Sequence, residues 1–157
     1  MLNDLTRGPR RTAVKYAVPS FQAHCRDCER ILGDRHEKVN RWVDELFRMK
    51  GPEHRRLRHH THGIQLAQQL FGIEGAKAAI VHVVRDCGHV PDDRDYVSDP
   101  CFVDDDAVWA FTNDVSEEVW QQFRRKVHDE WDRLLPRSCL AAIDQREIEE
   151  CKEDKST

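Results

Sequence analysis

Residues 75–88 read GAKAAIVHVVRDCG, and they are the most informative part of the sequence for the fold. Apolar side chains fall on nearly every face of a helix drawn through them, which predicts a buried helix at the centre of the protein. The run from Ile80 to Val84 is rich in β-branched residues and would also suit a strand. The alanines and the length of the stretch favour a helix, so we predict one from Gly75 to about Cys87.

Other segments show helical periodicity on both sides of this stretch. Asp34 is suited to cap an amphipathic helix, which ends before Gly51-Pro52, and its apolar residues recur at helical spacing. These residues are Val39, Trp42, Val43, Leu46 and Phe47. Further helices are predicted over residues 20–32, 52–71, 116–136 and 138–151, with a short helix or strand at 108–111. The fold class predicted is all-α, an irregular single-domain bundle of about five or six helices.

Length and composition suit one soluble domain of ordinary size, because the chain has 157 residues with 39% hydrophobic and 34% charged side chains. We predict a basic N-terminal arm over residues 1–19, a helical domain over 20–151 and a frayed tail over 152–157. No apolar run approaches the roughly 20 residues that a membrane span needs, and residues 1–11 lack the apolar segment of a signal peptide. The expectation is a cytoplasmic protein without membrane contact.

Charge is segregated along the chain. Residues 1–60 carry 14 basic and 8 acidic side chains, whereas residues 92–157 carry 9 basic and 19 acidic ones. Seven of those acidic residues are aspartates within residues 92–106. Such a chain either folds its two parts against each other or presents two faces to different partners.

Six cysteines are expected to be reduced thiols in a chain without a secretory signal. Only Cys25 and Cys28 have a spacing with chemical meaning. They are either half of a structural zinc site or two small residues on one helix face.

Histidines concentrate in two predicted helices. Four of them, His54, His59, His60 and His62, lie on the helix over residues 52–71, and His82 lies on the central helix. His82 and Asp86 are four residues apart, so an imidazole and a carboxylate share one helix face. If the two helices pack antiparallel across residues 72–74, the start of the first meets the end of the second.

That packing would gather imidazoles and one carboxylate at one end of the bundle. We predict the metal ligands His59, His60, His82, Asp86 and His89, which suit a divalent zinc, manganese or iron ion. The alternative is a hydrogen-bonded structural network of buried histidine and aspartate.

Three segments carry a resemblance to a known family: RRLRHHTHGI at 55–64, FG at 71–72 and HVVRDCGHVP at 82–91. The stretch from His24 to about Val97 resembles a family of small uncharacterised bacterial and phage-encoded domains. The resemblance divides the helical domain into a family-like core over 20–97 and a C-terminal helical extension over 98–151. It implies no activity, and by position it points to these residues: His54, His59, His60, Gly63, His82, Asp86 and Gly88.

The segment from His82 to Pro91 is also similar to the His-Asp segment of HD phosphohydrolases, which are helical metalloenzymes. In those enzymes the His and Asp are adjacent, whereas here three residues separate His82 from Asp86.

Two functions follow from these residues. The first is a metal-dependent hydrolase of a phosphoester or nucleotide, with His82, Asp86 and Arg58 as catalytic residues. In that hypothesis the residues that neutralise phosphate oxygens are Arg55, Arg58 and Arg85. The alternative is a non-enzymatic interaction module, phage or mobile-element associated, whose basic N-terminal part binds nucleic acid or an acidic protein partner. The sequence does not predict an oligomeric state.

Overall fold

The computed structural model describes residues 19–92 and 103–135, and this part of the chain is all-α, as predicted, without a strand. In chain order the helices are α1 (Phe21–Leu32), α2 (Glu37–Asp44), α3 (Phe47–Lys50), α4 (Arg55–Arg58), α5 (Thr61–Cys87) and α6 (Glu117–Leu134). Two 3-10 turns cover Gly51–His54 and Val108–Phe111. Since α3 and α4 are single turns, four helices of eight residues or more lie in the described part, slightly fewer than predicted.

Serine side chains begin the two amphipathic outer helices, as predicted. Ser20 accepts a hydrogen bond from the amide of Ala23 at the start of α1, and Ser116 accepts one from Val119 at the start of α6. The guanidinium of Arg30 on α1 reaches Glu117 on α6 at 2.6 Å, so one basic residue of the first part pairs with the acidic second part.

The second helix begins later than predicted. Asp34 accepts a hydrogen bond from the amide of His36 at 2.9 Å, within a turn, and α2 starts only at Glu37. Val39 and Val43 are buried as expected. Phe47 is 51% exposed, because α2 ends at Asp44 and the chain continues as the separate turn α3.

The prediction of one continuous helix over residues 52–71 is wrong. A 3-10 turn and α4 fill residues 51–58, and the backbone of His60 is extended, with φ −155° and ψ 177°. The side chain of His60 accepts a hydrogen bond from the amide of Gly63 and thereby caps α5. A Cβ at Gly63 would lie 2.0 Å from the carbonyl oxygen of Arg58, so only glycine allows this close approach of α5 to α4.

A reversal inside α5 brings its two ends together. Gly72 has φ 75° and ψ −170°, a conformation favoured by glycine. A straight helix of 27 residues would be about 40 Å long, yet the amide of Thr61 donates to the carbonyl of Pro91 at 2.9 Å. The chain therefore turns back at Gly72, and residues 61–71 run antiparallel to residues 73–87, as predicted.

The second half of α5 is the centre of the core, and every residue from Ala78 to Cys87 is buried. The strand alternative for Ile80 to Val84 is excluded, since all five residues are helical. The free thiols of Cys25 and Cys28 are buried on α1 and approach the side-chain amide of Asn40 at 3.9 and 3.5 Å.

Several predicted elements lie outside the described residues: residues 1–18 of the arm predicted over 1–19, most of the acidic segment, the helix from Ser138 and the tail. Within residues 19–92 and 103–135, no helix combines the length and the apolar character that crossing a membrane requires.

Candidate metal centre

Four side chains from three parts of the chain converge at the centre of the described bundle. Asp44 is the last residue of α2, His59 follows α4, and His82 and Asp86 lie one turn apart on α5. Each offers one ligand atom, and these atoms all lie within 4.8 Å of one another. We call this set the His/Asp cluster; it could hold a metal ion.

The spacing of the ligand atoms matches that of a coordination shell. His59 Nε2 lies 3.0 Å from Asp86 Oδ2 and 3.4 Å from Asp44 Oδ1, and His82 Nε2 lies 3.3 Å from each of these two oxygens. Donor atoms that share one ion at about 2.0–2.2 Å cannot lie more than about 4.4 Å apart, and neighbouring donors lie closer. These four of the six donor–donor separations, 3.0–3.4 Å, fit neighbouring ligands of one ion.

Three buried atoms of the cluster residues lack hydrogen-bond partners: His59 Nδ1, His82 Nε2 and Asp86 Oδ1. Of these, His82 Nε2 faces two carboxylate oxygens at 3.3 Å. Buried polar atoms are usually satisfied, and an exception calls for a cause such as an ion. A shared metal position between the two carboxylates and the ring is one such cause.

Two further histidines hold the carboxylates from outside the cluster. His54 Nε2 lies 3.1 Å from Asp44 Oδ1, and its Nδ1 lies 2.7 Å from the carbonyl of Gly51. His24 Nε2 lies 3.2 Å from Asp86 Oδ1, and the His24 ring stacks on that of His82 with centroids 3.6 Å apart. Each carboxylate therefore contacts one imidazole besides those of the cluster, which restricts its orientation.

Both carboxylates remain ionised at neutral pH. Burial raises the pKa of Asp86, but the charges of His24 and Arg55 and a hydrogen bond from His59 hold that pKa well below its usual range. Burial also raises the pKa of Asp44, while the charge of His82 and a hydrogen bond from His54 lower it well below its usual range. The cluster thus holds two carboxylates in the charged form that binds a cation.

His82 is the group whose proton compensates these charges. Burial lowers its pKa, but Asp44 and then Asp86 raise it to about 10. A proton on His82 Nε2 and a metal ion at that position therefore compete for the same two carboxylates.

An open cleft of about 890 Å³ leads to the cluster. Asp44, Asp86 and His54 are among its lining residues, and the side chain of Asp44 is 34% exposed. Aromatic and basic residues make up most of the rest of the lining, together with Pro19 and Glu45: Phe21, Trp42, Phe47 and Phe71, with Lys38, Arg41 and Arg48. A solute can therefore approach one carboxylate of the cluster along a partly apolar, basic wall.

Three predicted metal ligands lie in the cluster: His59, His82 and Asp86. The structure does not bring the other two into it. His60 caps α5, and His89 Nδ1 contacts Asp104 Oδ2 at 2.8 Å. The reason is the extended backbone at His60, which leaves the ring of His59, but not that of His60, in contact with Asp44 and Asp86.

The arginines predicted to bind phosphate occupy three different environments. Arg55 is buried, and its charge lowers the pKa of Asp86. Arg58 pairs with Glu45 at 2.8 Å and lies over the ring of Trp42, beside the cleft. Arg85 is buried against Asp27 and donates to the carbonyl of Thr112, so the structure places it away from the cluster.

Asp44 and His24 belong to the site, and sequence reasoning missed both. Asp44 reads as an ordinary polar residue beside the apolar position Val43. The available signal is weak: both residues lie on amphipathic helices, next to buried positions.

No protein-family model, curated protein or solved structure matches this chain. The resemblance to small bacterial and phage-encoded domains therefore stays a prediction.

Proposed function

We propose that the protein is a metal-dependent hydrolase of a phosphoester and that the His/Asp cluster holds its metal ion. The observation that carries the proposal is the convergence of two imidazole nitrogens and two carboxylate oxygens, all within 4.8 Å of one another. Imidazole together with carboxylate suits zinc, manganese or iron. Two carboxylates also balance the charge of a divalent ion.

The donor set supports catalysis as well as binding. Four protein ligands leave positions open at an ion that takes five or six, and Asp44 connects the cluster to the cleft. A divalent ion at such a site activates water at neutral pH and polarises a phosphoryl oxygen. His82 and Asp86 act as ligands in this proposal, and His54 and His24 keep the carboxylates in position.

The substrate side of the proposal rests on the cleft. Lys38, Arg41 and Arg48 supply positive charge along its wall, as a phosphorylated substrate requires. Arg58, from the predicted phosphate-binding group, lies over the ring of Trp42, a residue of this wall. The aromatic residues suit a planar group, so a nucleotide is the substrate class to test first.

The test combines metal analysis with hydrolysis assays on protein purified without a His tag. Zinc, manganese and iron are added in turn, the excess is removed, and bound metal is measured by elemental analysis. Hydrolysis is then followed with p-nitrophenyl phosphate, bis(p-nitrophenyl) phosphate and a panel of nucleotides. We expect one ion per chain and hydrolysis of at least one substrate that depends on the metal.

Asp86→Asn is the decisive variant, since it removes one negative charge from the cluster and keeps the shape. It should lose bound metal and lower the hydrolysis rate by at least about 100-fold. Asp129→Asn on the exposed face of α6 is the matched control and should change neither. Wild-type protein that melts cooperatively, binds no metal and retains nucleic acid that salt removes would contradict the proposal and favour the interaction module.

A further inference from the structure

Asn40 is a fully buried polar residue on α2, one turn before Asp44. Its side-chain Oδ1 lies 2.9 Å from His82 Nδ1, while Asp44 Oδ1 lies 3.3 Å from His82 Nε2. One turn of α2 thus contacts both ring nitrogens of a single histidine. A buried asparagine is costly unless all its hydrogen-bonding groups are used, so its contacts carry information.

The orientation of the Asn40 amide follows from its surroundings. The Nδ2 group donates to the main-chain carbonyls of Arg35 and His36 at 3.1 and 3.2 Å. Carbonyl oxygens only accept hydrogen bonds, so the amide NH₂ must face them and Oδ1 must face His82. An oxygen acceptor at that position requires a hydrogen on His82 Nδ1.

This requirement determines which His82 nitrogen can bind a metal. With the hydrogen on Nδ1, the neutral ring has its lone pair on Nε2, which faces Asp44 and Asp86 at 3.3 Å and has no hydrogen-bond partner. A histidine ligand is commonly held in this way, by an acceptor at the nitrogen that does not bind the metal.

We propose that Asn40 is the positioning residue of the metal centre and selects His82 Nε2 as the ligand atom. The inference rests on the metal centre of the proposed function but not on hydrolysis. Asn40 differs from the other buried side chains near the cluster because it acts by fixing the tautomer of the His82 ring.

The first experiment uses the wild-type chain labelled with ¹⁵N-histidine and loaded with Zn²⁺. Two-bond proton–nitrogen correlation spectra identify which nitrogen of each ring carries hydrogen. The expected result for His82 is a hydrogen on Nδ1 and zinc on Nε2. A hydrogen on Nε2 would overturn the inference, and this measurement needs no variant that might fail to fold.

The second experiment compares Asn40→Leu with Asn40→Asp by Zn²⁺ titration. Leucine removes the acceptor, so Zn²⁺ affinity should fall about 10- to 100-fold. Aspartate keeps an acceptor oxygen for His82 but loses the amide donors, so its affinity should exceed that of the leucine variant about 10-fold or more. Asn113→Leu, at an exposed position where the side chain contacts Ser20, is the control and should bind zinc normally.

The outcomes separate this inference from the proposed function. Equal zinc affinity in wild type and Asn40→Leu, or equal losses in the leucine and aspartate variants, would overturn the positioning role alone. Wild-type protein that binds zinc with the expected tautomer but hydrolyses nothing would leave the inference intact and remove the hydrolase. Wild-type protein that binds no metal would overturn both.

Discussion

His59 Nε2 and Asp86 Oδ2 lie 3.0 Å apart, although 27 positions separate the two residues in the sequence, and both side chains are buried. Two backbone features produce this contact. The chain reverses direction at Gly72, so the end of α5 lies beside its start. The extended backbone between α4 and α5 turns the His59 ring toward the carboxylate. The candidate metal centre therefore depends on backbone conformation as much as on the identity of its ligands.

His59→Ala and His60→Ala should separate two adjacent histidines with different roles. His59→Ala removes a member of the cluster, so bound metal should fall below half an ion per chain in elemental analysis. His60→Ala removes the cap of α5, so it should lower the free energy of unfolding by about 1 kcal/mol and leave metal content unchanged. Metal loss in the His60 variant alone, with His59→Ala fully loaded, would refute the assignment.

Stability of the metal-free protein should depend on pH at both ends of the range. The pKa values of Asp44 and Asp86 are lowered on folding, so their contribution is present above about pH 4 and is lost as the pH falls. The pKa of His82 is raised to about 10, so its contribution is complete below pH 6.5 and is lost as the pH rises toward 10. The melting temperature of the metal-free protein should be more than about 4 °C lower at pH 10 than at pH 6.5.

A matched variant and the metal-loaded protein test whether His82 causes the loss of stability between pH 6.5 and 10. Asp44→Asn removes the charge that does most to hold the proton on His82, so the fall in melting temperature between pH 6.5 and 10 should shrink. Zn²⁺ affinity should rise over the same pH window because the ion competes with that proton. A fall that is unchanged in Asp44→Asn would exclude His82 as its source.

Much of this architecture could be predicted from periodicity and capping. Ser20 and Ser116 begin α1 and α6 through local hydrogen bonds, and Gly72 marks the reversal within α5 through its backbone preference. Sequence patterns encode such local effects directly. The pair His82 and Asp86 could be found because a helix fixes the relation of residues four apart.

The remaining parts of the site depend on contacts between elements, which spacing does not encode. Asp44 and His24 face α5 only because α1 and α2 pack against it, and neither has a distinctive neighbour in the sequence. The different roles of His59 and His60 have the same origin, since they depend on the extended backbone at His60 that a continuous helix would lack.

Gly63→Ala should damage both the fold and the site, because the new Cβ would lie 2.0 Å from the carbonyl oxygen of Arg58. Backbone cannot move aside as a flexible side chain can, so we expect a loss of about 2–3 kcal/mol in the free energy of unfolding. Metal affinity should fall as well, since α4 and α5 must separate on either side of His59. Chemical denaturation and Zn²⁺ titration measure the two effects. Gln65→Ala, exposed on the same helix, is the control, and equal stability of the two variants would exclude the close approach.

Glu130 joins α6 to the segment after α5, and its replacement should loosen that segment. Its carboxylate is buried, accepts a hydrogen bond from the amide of Val90 at 2.9 Å and pairs with Arg133 at 2.6 Å, while Arg133 donates to the carbonyl of Val90 at 2.8 Å. Glu130→Leu leaves both donors without this acceptor, so the free energy of unfolding should fall by about 1–3 kcal/mol.

Glu130→Gln keeps an acceptor for the Val90 amide and should cost less than half as much. Hydrogen exchange at that amide gives a local readout: it should be fast in the leucine variant, intermediate in the glutamine variant and slow in the wild type. Zinc affinity should stay within about threefold in both variants, because Glu130 lies outside the His/Asp cluster. Slow exchange at Val90 in the leucine variant would show that this segment is held by other contacts.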